Sequence, residues 1–304
     1  MNRTLVDADV VISLMCARAE VAFDYQGAYG IFPLLSDRKT RGQFLSLKHL
    51  ADPAEHQRLQ SWADEAAWWG GMMIAVQIIP SDGDGVAAVI AGGVQEMELA
   101  VQTKFTEAWA TSCEGTYDAV VVLIDGDQSQ QTWNNVARAL SLAVPYVTPD
   151  GMILVCSELK QSPGAALRRL ADPNLTDEEF YRKPASKSSD DALAAAVLHE
   201  TSAICHVYLL SDLDREDVES LGLGALRSPA EAEHALHERR DILVLGTAQH
   251  RTRRLTSIPL VDSTHECSGC RGEGCGGEGC CNEKCQSESH HDDAGDGCCG
   301  HSHG

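Results

Sequence analysis

Positive charge is in short supply in this chain. Lysine and arginine number 24 against 45 aspartates and glutamates, a formal net charge of −21. A surface of that sign repels phosphate backbones and anionic lipid headgroups, which excludes nucleic acid and membrane surfaces as partners. Long apolar runs are also missing, since none approaches the roughly 20 residues that span a bilayer. Asp7 and Asp9 stand where a secretory signal needs its apolar stretch, so a cytoplasmic location is expected. No G-x-S-x-G elbow, Walker loop or G-x-G-x-x-G opening a helix is present. Cysteine is sparse before residue 267: Cys16, Cys113, Cys156 and Cys205 each sit among apolar neighbours and read as small buried side chains.

The clearest positive signal runs from Tyr117 to Leu159. An apolar run, Tyr117 to Ile124, is followed by the polar turn Asp125-Gly126-Asp127-Gln128-Ser129-Gln130. Trp133, Val136, Ala137, Leu140 and Val144 then recur at steps of three and four, as on one face of a helix. Pro149-Asp150-Gly151 breaks the chain before a second apolar run, Met152 to Cys156. Near-continuous β-branched runs suit strands covered by helices on both faces, and strand, helix, strand in this order is one right-handed crossover. Chemistry in such sheets sits beyond the carboxyl ends of the strands, an edge that here carries Asp125, Asp127, Gln128, Ser157 and Glu158.

Upstream, Leu5 to Leu14 reads as a strand, and the basic cluster Asp37 to Arg41 as a solvated loop. Asp52-Pro53 opens a helix to about Trp69, with Trp62, Ala66 and Trp69 on a core face. Met72 to Ile79 and Val86 to Ile90 read as a hairpin, and Val94 to Ser112 as a helix. Downstream, a short helix is expected from Ser162-Pro163-Gly164, and Leu170 to Ser189 reads as irregular and polar. Ala192 to Ser202 reads as a helix, Cys205 to Leu210 as a strand and Asp214 to Leu221 as a helix. Ser228-Pro229 caps another helix, and Asp241 to Gly246 is the last strand. Strands alternating with helices from 117 to 246 predict a layered α/β domain with a mainly parallel sheet. His234 and His237, three apart on a helix, read as a solvent-facing pair rather than metal ligands.

From Asp262 onward apolar periodicity stops, and the segment cannot bury enough surface to fold alone. Eight of the twelve cysteines fall here: Cys267, Cys270, Cys275, Cys280, Cys281, Cys285, Cys298 and Cys299. His290, His291, His301 and His303 accompany them. Thiolates and imidazoles at short steps, with glycine letting the chain wrap, suit soft or borderline metals, and the ligands leave nickel and zinc both open. A tail with no role and a set of disulfides are the competing readings, the second disfavoured in a reducing cytoplasm.

Several stretches, in their order and spacing, resemble the nickel-dependent lactate racemase family over residues of about 5 to 258. They are Tyr117-Asp118-Ala119-Val120-Val121 before a Gly turn, Asn135-Val136-Ala137-Arg138-Ala139-Leu140, Asp150-Gly151-Met152-Ile153-Leu154-Val155, Val207 to Ser211, and Ser228-Pro229-Ala230-Glu231-Ala232. The resemblance is to the later part of that family, with an upstream domain not represented. It implies a remnant of the N-terminal catalytic domain over 1–112 and a C-terminal α/β domain over 113–258, while composition makes 259–304 a disordered Cys/His-rich metal-binding tail. It also implies racemisation or epimerisation of a small 2-hydroxy acid by hydride transfer to a nickel pincer nucleotide held on a lysine. Tyr29 stands at that lysine's position and Ala19 or Glu20 at a family histidine's, and a phenol cannot replace the amine. His49 corresponds to the nickel histidine, while Asn135 and Arg138 replace a glutamine and a lysine on the substrate side, keeping an amide and a cation. Two functions stay open: a racemase-family enzyme, or a non-catalytic relative whose tail binds, stores or delivers nickel or zinc. A separate chain supplying the missing domain and a homo-oligomer are the partners implied.

Overall fold

The computed structural model of the protein describes residues 3–18, 32–33, 35–44, 52–83, 85–182 and 190–253. Tyr29, Ala19, Glu20, His49 and the whole Cys/His-rich tail lie outside these. No helix among the described residues is long and apolar enough to cross a membrane.

The N-terminal part is built on a three-stranded sheet. A short helix, Arg3–Val6, precedes β1 (Val11–Cys16), so the first strand starts later than its apolar pattern suggests. The basic cluster is helical, Arg38–Phe44, because the Asp37 carboxylate accepts the backbone N–H groups of Lys39 (2.9 Å) and Thr40 (3.0 Å). The helix Pro53–Trp69 is capped by Asp52 as expected, and β2 (Met72–Pro80) and β3 (Val86–Gly93) form the expected hairpin. β1 pairs parallel to β2, and β2 antiparallel to β3, in the order β1-β2-β3. On one face the helix Pro53–Trp69 buries Leu59, Ala63 and Ala67 against Val11 and Met72, with Phe32 and Phe44 beside them. Trp62 packs against Phe44 at 5.4 Å between ring centroids. Trp69, expected on that core face, is 79% exposed instead, at the last position of the helix before the Gly70 cap. The helix Val94–Trp109 places Phe105 and Trp109 against Ile79 and Ala17. The strand β4 (Ala110–Thr111) follows it.

The five-stranded sheet begins with β5 (Tyr117–Leu123), followed by the helix Trp133–Ala143 and β6 (Val147–Cys156). Pro149-Asp150-Gly151 does not separate β6 from what precedes it. The strand passes through a bulge there, with Asp150 at φ 60° and the register against β5 shifted between Tyr117 and Ala119. A short 3-10 helix, Leu167–Ala171, replaces the helix expected at Ser162-Pro163-Gly164. The buried Asp191 carboxylate fixes it by accepting from Leu167 N (3.0 Å) and Ala166 N (3.3 Å). The polar stretch after it holds a helix, Asp177–Arg182, seated by the fully buried Phe180, which stacks on His199 at 4.3 Å. Next come the helix Ala192–Ser202, β7 (His206–Leu210), the helix Arg215–Glu219, β8 (Gly224–Leu226), the helix Pro229–Leu236, β9 (Ile242–Leu245) and β10 (Thr252–Arg253). Ser228 caps its helix by accepting from Glu231 N at 3.2 Å.

The sheet order is β8-β7-β6-β5-β9, and every pair is parallel. Val120, Val122, Ile153, Val155, Val207, Leu209, Leu243 and Leu245 share one face, under the helices Trp133–Ala143 and Ala192–Ser202, and form the main core. The fold is thus α/β with a five-stranded parallel sheet. β10 pairs with β4, tying the end of this region to the end of the helix Val94–Trp109. Among the four early cysteines only Cys205 is buried, its thiol pushed up to about 11 by burial, while Cys16 is exposed.

Candidate functional site

The strand order reverses at β5. The chain steps outward through β6, β7 and β8, then returns to lay β9 on the other side of β5. At such a switch point the loops after the two central strands diverge and leave a crevice at their carboxyl ends. Here those loops are Ile124–Gln131 after β5 and Gly246–Arg251 after β9.

Two buried glutamines set the shape of that edge. Gln249, 2% exposed, donates through Nε2 to the Asp125 carbonyl at 2.8 Å and accepts from Asp125 N at 3.4 Å. Gln131, 4% exposed, donates to the carbonyls of Ile124 and Gly126, both at 3.2 Å. Its Oε1 accepts from Ser157 Oγ at 2.8 Å and Glu158 N at 3.0 Å. The turns after β5, β6 and β9 are thereby stitched together by two side-chain amides whose alternatives, in a water-poor edge, would be unpaired polar atoms. Asp125 itself is exposed, and its carboxylate accepts from Thr247 Oγ1 at 2.7 Å. Thr247 has φ 53°, a left-handed conformation unusual for a β-branched residue and a mark of local strain. Asp127 is engaged in its own turn, accepting from Ser129 N and Oγ, which holds its carboxyl below the usual carboxylate range.

Behind this edge the helix Trp133–Ala143 begins at Thr132, whose side chain accepts from Asn135 N. Asn135 and Arg138 lie one turn apart on its buried side. Asn135 Nδ2 donates to the Gln130 carbonyl at 2.7 Å, and Asn135 Oδ1 accepts from Arg138 Nη1 at 3.0 Å. The amide therefore fixes the loop on one side and the guanidinium on the other. His250 completes the group. Burial holds its imidazole below the usual histidine range, the nearby Arg138 cation adds to that, and the Asp125 carboxylate opposes it. Neutral at neutral pH, its ring packs against the Trp109 indole at 5.5 Å, and Trp109 Nε1 donates to the Pro80 carbonyl at 2.8 Å. Its Nδ1 is buried with no hydrogen-bond partner among the described residues. A cation, an acceptor carboxylate and a neutral imidazole thus meet at the switch point, a set able to hold one small anion bearing a hydroxyl group.

No protein-family model and no curated protein matches the sequence. Solved structures do. The lactate racemase apoprotein from Thermoanaerobacterium thermosaccharolyticum superposes with a TM-score of 0.67 at 13% identity, over 83% of this chain and 64% of the racemase. A protein from Thermotoga maritima superposes with a TM-score of 0.52 at 13% identity, over 82% of this chain and 68% of its own. The fold is lactate racemase-like. The chain spans 64% of the racemase's length, so about a third of that structure has no counterpart in the superposition.

The structure brings Asn135 and Arg138 together, with Asp125 across the same edge, and places Asp127 and Glu158 on the outer surface of the turns. His234 and His237 are both exposed. Among the described residues no group of three or more His, Cys, Asp or Glu is placed to hold a metal ion. Gln131 carries no signal in the sequence, and Thr247, Gln249 and His250 carry only their place after the last strand. The carboxyl-edge rule applied to the last strand, as it was to the first two, points directly at Thr247 to His250.

Proposed function

We propose that this chain is a lactate racemase-like protein that binds a small 2-hydroxy acid at the switch point. The observation that carries the reading is the Arg138 guanidinium, oriented by Asn135 beside His250 and Asp125, in a chain with this fold. Arg138 takes the substrate carboxylate. The neutral His250 and the Asp125 carboxylate face its hydroxyl, the imidazole as donor or acceptor and the carboxylate as acceptor. Binding charge to charge in a partly buried site gives the guanidinium more weight than it has in open water.

The nickel pincer nucleotide that the family resemblance implies would supply the hydride acceptor of a racemisation. The donor set at the corresponding positions does not fit it: Tyr29 offers a phenol where an amine is needed, and Ala19 or Glu20 no imidazole. The test is titration of D- and L-lactate into the full chain by calorimetry, beside a D/L-lactate interconversion assay with the nickel cofactor added. Binding that weakens at least tenfold in Arg138→Gln supports the site, and absence of lactate binding overturns it. Interconversion would restore the enzyme to full family membership despite Tyr29.

The composition of the tail supports a second role, holding or delivering nickel or zinc through Cys267, Cys270 and the thiols and imidazoles that follow. It calls for several metal equivalents bound by the full chain in elemental analysis. A chain ending at Val261 that binds as much metal would overturn it.

A further inference from the structure

Among the described residues, the three-stranded sheet has one face covered by helices and one face covered by nothing. Register identifies the bare face: Ile12, Leu14 and Cys16 on β1 lie opposite Ile74, Val76 and Ile78 on β2, and these lie opposite Gly93, Ala91 and Val89 on β3. None of the nine is charged or polar beyond the Cys16 thiol. Ile12 is 58% exposed, Leu14 66%, Ile74 45% and Val89 60%. Val10 at the head of β1 and Met73 at the bulge of β2 extend the patch, at 68% and 69%.

A single copy in water leaves this surface unsatisfied. The six large apolar side chains present roughly 600 Å², the upper end of what a monomer tolerates as one patch. That is about three-quarters of the 800 Å² per partner of a standard interface, before the half-buried Val76 and Ile78 and the exposed Ala91 between them are counted. The chemistry also selects the occupant. A face with no charge of its own cannot choose a heterologous partner by complementary charge, whereas two identical aliphatic sheets pack face to face about 10 Å apart, each filling the other's gaps. A twofold axis through the face makes it self-complementary.

We propose that the bare face of β1-β2-β3 is the interface of a homodimer in which two copies form a six-stranded, two-layer sandwich. Leu14, Ile74 and Val89 sit at its centre. The interface is remote in sequence from the switch-point residues, so it stands whether or not the 2-hydroxy-acid reading does.

Sedimentation velocity of the full chain at tens of micromolar tests it, with Leu14→Glu and, separately, Val89→Lys, both at exposed positions that leave the helix-covered core intact. The expected result is a wild type of twice 32.7 kDa and variants of 32.7 kDa with unchanged circular dichroism. Peptide-resolved alkylation adds a second reading: Cys16 reacts at least tenfold faster in Leu14→Glu than in the wild type. A wild type that sediments as a monomer overturns the proposal, and so does a dimer that both variants leave intact. A chain that stays monomeric alone but joins a different polypeptide through Leu14 overturns it as well.

Discussion

The two sheets of this protein solve the same problem in different degree. The five-stranded sheet hides Val120, Ile153 and Val155 completely beneath two helices, while the three-stranded sheet turns Ile12 and Leu14, equally apolar, to water. Aliphatic composition is therefore no guide to which residues support the fold of one copy; the layer above them is. The parallel sheet has helices on hand because each crossover must return over it, and a hairpin generates no such cover.

Paired truncations test that contrast most severely. In dilute solution Ile153→Ala should cost about 3–4 kcal/mol in urea unfolding, the range for emptying a closed core site, and Ile12→Ala less than about 0.5 kcal/mol. Equal costs would show that the bare face is packed within one copy. Next in size is Gly151→Ala in the bulge of β6, where an added Cβ would stand 2.7 Å from the Thr148 carbonyl oxygen. About 2 kcal/mol of destabilisation is expected from that backbone clash, whereas alanine at Gly92 in the three-stranded sheet meets nothing within 4 Å and should be tolerated. Gln131→Ala removes the stitch between the turns after β5 and β6. It should cost about 1–3 kcal/mol, with amide exchange accelerating at Gly126 to Gln130 before it does at β1 or β2.

The smallest effect is a pH dependence confined to the switch point. His250 titrates below its unfolded value of 6.5, so between that pH and its lower folded value the unfolded chain binds the extra proton. Stability contributed by the neutral ring is complete above pH 6.5 and declines as the pH falls through this window. His250→Gln should flatten the unfolding midpoint between pH 7 and the acid side, and a slope that persists unchanged in the variant would assign it elsewhere.

Local signals carried most of the secondary structure. The Asp52-Pro53 and Ser228-Pro229 caps, the apolar runs at 117–124 and 152–156, and the hairpin at 72–93 each follow from chemistry within a few residues. What escaped depends on distant partners. β4 and β10 are two residues each and exist only because they pair with each other. The helix Asp177–Arg182 is polar by composition and owes its place to Phe180 finding a pocket beside His199. The candidate site was legible in part: Asn135 and Arg138 stand out on their helix, and Asp125 on its edge. His250 did not, because only strand order puts the turn after β9 beside the turn after β5. Nor does any pattern of three strands announce that one face will lack a layer.

The Gln249 clamp carries a consequence for how the molecule is made. Asp125 and the amide that fixes it are 124 residues apart. A ribosome adding about 5–20 residues per second releases them many seconds apart, so the apolar run of β5 waits all that time for its outer neighbour β9. The crossovers to β6, β7 and β8 can close as they emerge, since each joins neighbours in sequence. The switch point cannot. It is the last part of the parallel sheet to assemble, and a chain stopped short of Ile242 holds four strands in order and no switch point.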